Sequence, residues 1–508
     1  MSYAGLLIFV FTLFLVLGTR IVFASEKVLT VKEDIFVDKQ GRHVILHGIN
    51  LVCKDRNKNY IGDWNETDFS KLKEWGINCI RLGIIWDGLE PSPGNINFRY
   101  LAELDRFIEL ARENNIYVIL DMHQDLYSHK FGADGAPEWA VIDDGKPHIH
   151  LGGIWSDAYF TSPAIKTSFD SFWDNKKAID GIGLQDHYAL CWKEIAKRYA
   201  SNPTVIGYDI MNEPFIGSDI DKVWEVMVGK FLEKTKYSGS LDDLEEMWFN
   251  INNRFDLLKE LSKLQVYKEV IDASEEIYKR FETEKLIPFY RKVSSAIREV
   301  DKESLLFLEP SVSSNIGIYS RIEKVDDLQV YAPHAYDIMT DTPFIENSDL
   351  ARIAMIFERH KEVQQRLRIP ILIGEWGGFG TNRGARNLAL FIVKMIEEFQ
   401  YNETYWDYFG YREIESSEYF EAIKRPYPMF IAGKLIHYRF DRKNNLFECR
   451  WKESLDGETI IYLHKIPPKG IRIIPAGKFF IEEIGNSKSG YLIIPTCRNN
   501  DRKVEISF

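Results

Sequence analysis

The chain has 508 residues, 45% of them hydrophobic, which is enough for one large domain and one smaller one rather than a single ordinary domain. Its 76 acidic residues against 64 basic ones leave a net charge of −12, and no basic stripe is present to neutralise phosphates, so nucleic acid is excluded as a partner.

Residues 4–18 form an uncharged apolar run broken only by Thr12, and the small residues Ala24 and Ser25 follow. The run is shorter than the roughly 20 residues a membrane span needs, so residues 1–25 are expected to be a secretory signal peptide, with an uncleaved anchor as the alternative. A secretory route makes Asn65 and Asn402, each in an Asn-Glu-Thr sequon, expected glycosylation sites, and it permits disulfides among Cys53, Cys79, Cys191, Cys449 and Cys497. An odd count leaves at least one thiol over. Cys53 and Cys79 fall at opposite ends of neighbouring strands, and Cys449 with Cys497 is the expected bridge.

From residue 27 the pattern alternates between strands and helices. Ile35 to Asp38 with a turn at Lys39-Gln40-Gly41 reads as a small hairpin that plugs a barrel floor. Apolar strands are expected at 46–52, 79–85, 117–125, 205–213, 305–310, 329–336, 370–376 and 404–409, and helical spacing lies between them, as at 100–114. Eight strands with intervening helices predict an α/β fold, a (β/α)8 TIM barrel over 26–435. The rival, a doubly wound open sheet, would usually carry an early glycine-rich phosphate loop, and none is seen. A helical insertion over about 216–300 follows strand four and is either a wall over the site or added packing. Residues 436–508 are rich in short β-type runs separated by turn residues, which predicts a small C-terminal all-β sandwich.

Strand four ends in Asn212-Glu213-Pro214 and strand seven in Glu375-Trp376-Gly377. Polar residues at the C-terminal ends of buried parallel strands point into a barrel mouth. Two carboxyls delivered there suit glycosidic bond cleavage, where one protonates the departing oxygen and the other attacks the anomeric carbon or activates water, the pair standing about 5 Å apart in a retaining enzyme. Asn212-Glu213-Pro214 alone reads equally well as a turn with a solvated glutamate; with Glu375 it points to catalysis. His148 and His150 have a metal-like spacing, but no convergent Cys or carboxylate joins them, so no metal and no cofactor is expected.

The Asn-Glu-Pro and the strand-seven glutamate resemble those of the retaining glycoside hydrolase family 5 barrels. The stretch from Asp121 through His123, Gln124 and Asp125 to Trp139, with Arg425-Pro426-Tyr427-Pro428 leading into the sandwich, is similar to the endoglycoceramidases within that family. The resemblance implies an enzyme that cuts between the oligosaccharide and the ceramide of glycosphingolipids. It implies Glu213 as acid/base with a raised pKa and Glu375 as an ionised nucleophile. Tyr336 would hydrogen-bond that nucleophile and Arg81 would lower its pKa. Asn212 would contact the sugar 2-OH and His334 would tune Glu213 or touch sugar. His123 and Asp125 would bind glucose hydroxyls above Trp406.

A glycolipid substrate requires an apolar aglycone cleft. Trp155, Phe160, Phe215 and Phe379, in loops after strands three, four and seven, are expected to line it and to bring the protein into transient contact with a membrane surface. The expected location is secreted, lysosomal or in a digestive compartment. An exo-acting β-glucosidase on glucosylceramide or steryl glucoside and a soluble β-glucanase are the alternative enzymes, and a non-catalytic glycolipid-binding protein is the alternative from another class.

Overall fold

Eight parallel strands, each built on a short apolar run, close on themselves. In chain order they are β1 (His47–Leu51), β2 (Cys79–Ile85), β3 (Tyr117–His123), β4 (Val205–Asp209), β5 (Leu305–Leu308), β6 (Gln329–Tyr331 and His334–Ala335), β7 (Leu372–Gly377) and β8 (Asn402–Trp406) in this computed structural model. It describes residues 27–235, 237, 239–381, 384–497 and 501–508, so the expected signal peptide lies outside the described residues. Neighbours pair in sequence order, β8 pairs with β1, and β6 meets β7 through the Tyr331–Ile371 bridge and the His334–Glu375 register. The expected strand 329–336 is broken in two because Pro333 brings no N–H to the ladder.

Strand alternation sorts the barrel interior into layers. Residues two apart share a face, so Cys79, Ile119 and Phe307 form an apolar lower layer, and Arg81, Asp121 and Glu309 stand one step above them. Below, Leu29 and Phe36 of the N-terminal strands join the apolar layer, with the Phe36 ring 6.4 Å from that of Phe307. The floor is thus plugged with hydrocarbon, and the polar layer faces the mouth.

The same N-terminal strands tie the two parts of the chain together. His43–Val44 pairs with Tyr427–Ile431, which pairs with Glu458–Leu463, inside one seven-stranded antiparallel sheet. A four-stranded sheet packs on it around Tyr438, Phe447, Trp451, Ile461, Leu492 and Val504. The β-structure therefore begins at Tyr427, ahead of the expected start at 436, because this strand is held by the barrel's own lead-in.

The expected Cys449–Cys497 bridge is not formed. Cys449 is buried in the sandwich core, whereas the backbone N–H of Cys497 donates to Glu453, four residues along the same strand. Glu453 lies about 13 Å along the strand from Cys449, so Cys497 is held towards the far end of that strand from its expected partner. Asn402, expected to carry a glycan, opens β8 at 4% exposure. Its Oδ1 accepts from Leu46 N at 2.7 Å and its Nδ2 donates to Ile371 O at 3.0 Å, so the amide is spent on barrel closure. Asn65 is exposed and caps helix Glu66–Glu74.

After β4 the insertion runs through α1 (Ile220–Lys234), α2 (Leu241–Phe249), α3 (Ile251–Glu260) and α4 (Leu264–Asp272). On α1, Ile220, Val223, Trp224, Met227, Val228 and Phe231 recur at helical spacing and face the barrel mouth. The insertion is a wall.

Candidate active site

Glu213 and Glu375 converge above the polar layer. An oxygen of each carboxyl and a ring nitrogen of His334 all lie within 4.8 Å of one another. Tyr336 OH donates to Glu375 Oε2 at 2.8 Å and Arg81 Nη1 to Oε1 at 2.9 Å. Asn315 Nδ2 donates to Glu213 Oε1 at 2.6 Å, and His334 Nδ1 lies 2.9 Å from the same atom. Glu213 has φ 45°, a left-handed conformation that costs a non-glycine residue about 1–3 kcal/mol. Its backbone is held there by Glu309 Oε2, which accepts Glu213 N–H at 2.8 Å, and by Gln124 Nε2, which donates to Glu213 O at 3.1 Å.

Arg81 is fully buried and organises the layer beneath. It contacts Asp121, Asp209 and Glu309 at 2.8 Å each, and Asn212 Oδ1 at 3.0 Å. Burial raises Asp209 well above the usual carboxylate range against the pull of Arg81. Burial likewise pushes Glu375 up to about 7, although His334 and Arg81 draw it down. Arg81 lowers this pKa in the expected direction, but one guanidinium serves four carboxyls and desolvation outweighs its share. At His334 burial works against the charge, but Glu309 and Glu375 hold its pKa well above the ordinary value.

Beside the carboxyl pair lies a polar pocket end. The His123 ring stacks parallel to Trp406 at 5.2 Å, Asp121 accepts from or pairs with His123 Nδ1 at 2.8 Å, and Lys54 contacts Asp125 while lying 4.4 Å from the Trp406 ring centre. Burial opposes charge on Asp125, yet Lys54 and His123 bring it down to about 2. Asn212 keeps its amide in place by donating to Gln124 O at 3.0 Å.

From this end a cavity of about 380 Å³ runs outward under the insertion. Trp155, Phe160 and Phe215 line it, joined by Trp224, Phe231 and Trp248. Phe379 does not: it is 1% exposed and packs against Trp376, Tyr405 and Tyr419, because the chain turns inward after Gly377 and Gly378 at positive φ. His148 and His150 bond Ser162 Oγ and Ile154 O rather than converging on each other.

The sequence reasoning overlooked Glu309, Asn315 and Lys54. Glu309 closes a third apolar strand with Glu-Pro, the same signal as strand four, whereas Asn315 and Lys54 sit in irregular segments without one.

Residues 37–411, most of the chain, match the cellulase (glycosyl hydrolase family 5) model, and residues 425–506 match the glycoside hydrolase family 5 C-terminal domain. The chain belongs to glycoside hydrolase family 5. Among relatives of this family member, the endoglycoceramidase of Hydra vulgaris is 25% identical over 477 residues, 85% of this chain and 79% of that one. The endoglycoceramidase of Cyanea nozakii is 25% identical over 479 residues, 84% and 82% of the two chains. The fold is that of endo-glycoceramidase II from Rhodococcus sp. in its ganglioside GM3 complex, with a TM-score of 0.71 at 22% identity over 94% of this chain and 100% of that one.

Proposed function

We propose that this protein is a retaining endo-β-glycosidase that hydrolyses the bond between oligosaccharide and ceramide in glycosphingolipids, releasing intact glycan and ceramide. The observation that carries the reading is the position of the carboxyl pair. Glu213 and Glu375 stand where a polar pocket end gives way to a long apolar cavity, which is where a bond between a sugar and a lipid would have to lie. The relatives named endoglycoceramidase support the same substrate class.

In this reading Glu213 protonates the departing ceramide oxygen while Glu375 attacks the anomeric carbon, and Glu213 then takes a proton from the water that releases the glycan. The spacing within 4.8 Å fits direct attack and leaves no room for the water an inverting pair needs. Arg81 and Tyr336 donate to the Glu375 anion, and His334 and Asn315 orient Glu213. Asn212, His123 and Asp125 bind hydroxyls of the innermost sugar beside Trp406. Secretion through the apolar leader, a glycan at Asn65 and transient contact with membranes belong to the same proposal.

Incubation with lactosylceramide and mass spectrometry of the products tests it. Intact lactose with free ceramide is expected. Stepwise loss of single sugars, or cleavage of soluble glucans alone, would move the substrate to an exo-glucosidase or a glucanase.

A further inference from the structure

A glycolipid held in a bilayer reaches the apolar cavity from a lipid surface, and the loop ahead of Trp155 has the construction such a surface demands. Residues 147–155, Pro-His-Ile-His-Leu-Gly-Gly-Ile-Trp, contain no Asp, Glu, Lys or Arg in a chain where 28% of residues are charged. Three of their large apolar side chains stand in the open: Ile149 is 37% exposed, Leu151 57% and Trp155 39%.

Several backbone groups of this loop are bonded within the protein. Thr161 Oγ1 donates to Ile149 O at 3.0 Å and accepts from Leu151 N at 3.3 Å, His150 Nε2 bonds Ile154 O at 2.9 Å, and Ile154 N donates to Asp157 Oδ2 at 3.2 Å. Each backbone group met by the protein itself is one that can approach hydrocarbon without losing a hydrogen bond to water. The root is fixed as well. Arg254 of α3 pairs with Asp157 at 2.6 Å, and Gly153 lies so close to α3 that a Cβ there would come within 2.5 Å of Ile251. Ile154 and Trp155, at the end of the loop, line the cavity.

We propose that loop 147–155 seats the protein on the bilayer, with Ile149 and Leu151 entering the boundary between headgroups and acyl chains and the cavity mouth opening beside them. The seat is for a zwitterionic surface, since the loop offers no basic residue and the chain carries a net charge of −12. The inference rests on the glycolipid reading and names the surface through which that substrate arrives.

The test is cosedimentation of the full chain with phosphatidylcholine vesicles, comparing wild type with the double variant Ile149→Ser, Leu151→Ser and with Leu151→Trp. The double variant is expected to partition about tenfold less, and Leu151→Trp more, than wild type. Cleavage of glycosphingolipid in vesicles should fall with partitioning in the double variant, while hydrolysis of a soluble aryl lactoside and of glycosphingolipid in detergent micelles stays within about twofold. Unchanged partitioning of both variants, or failure of wild type to bind vesicles, would overturn the proposal. Failure to cleave glycosphingolipid in micelles would instead overturn the substrate reading, and vesicle binding that still depends on the loop would then separate the two.

Discussion

Arg81 and Glu375 meet at 2.9 Å, yet the same guanidinium also serves Asp121, Asp209 and Glu309. Its charge is too divided to offset burial at the nucleophile, so Glu375 sits at about 7 in the folded protein instead of 4.5. The site is held ready for an anion at a cost to the fold.

That cost has a sign. A carboxyl whose folded pKa is raised binds more protons folded than unfolded between 4.5 and about 7, so its destabilising effect is absent below that window and complete above it. Replacing Glu375 by Gln should raise stability by about 1–3 kcal/mol at pH 8 and by almost nothing at pH 4.5. Denaturant melts at the two pH values check this; an equal gain at both would remove the explanation.

Tyr336 donates to the same carboxylate at 2.8 Å. Loss of that bond in Tyr336→Phe favours the protonated nucleophile, so the acid limb of kcat/KM should shift upward by about half to one pH unit. Activity at pH 6 should fall about three- to tenfold from that shift. A lower rate with an unmoved limb would make Tyr336 a positioning group alone.

Phe160 lines the apolar cavity and its ring packs 5.9 Å from Trp224 of α1. Phe160→Ser should lower kcat/KM for a glycosphingolipid in micelles by about tenfold, from roughly 1.5 kcal/mol of lost burial, with little change on a soluble aryl lactoside. Equal losses on both substrates would take the lipid out of this cavity.

The two sequons should separate cleanly. Expressed through a secretory host, Asn65→Gln is expected to remove the mass of a glycan. Asn402→Ala should remove none but destabilise the barrel by about 1–3 kcal/mol, because Leu46 N–H and Ile371 C=O lose their partner. A glycan found on Asn402 would contradict its place in β8.

Much of the site was legible because barrel geometry converts one signal, an apolar strand closed by a polar residue, into a position in the mouth. Glu213 and Glu375 were singled out that way, and Glu309 could have been, whereas Arg81 lies inside its strand and entered only through the family resemblance. Asn315 and Lys54 reach the site from irregular segments whose path depends on tertiary packing. Phe379 was misplaced because exposure was inferred from its place after a strand, while two glycines at positive φ turn the chain back into the core. The early start of the C-terminal sheet was hidden for a similar reason: Tyr427–Ile431 is completed by His43 and Val44, nearly 400 residues away in sequence.

The account rests on Glu375 as nucleophile facing Glu213 as acid, and covalent trapping tests it most directly. Treating the protein with an activated 2-deoxy-2-fluoro-β-lactoside and mapping the modified peptide by mass spectrometry should place a single ester-linked lactosyl group on Glu375, with none formed on the Glu375→Gln variant. A label on any other residue, or the α-anomer as first product from an unlabelled enzyme, would contradict it.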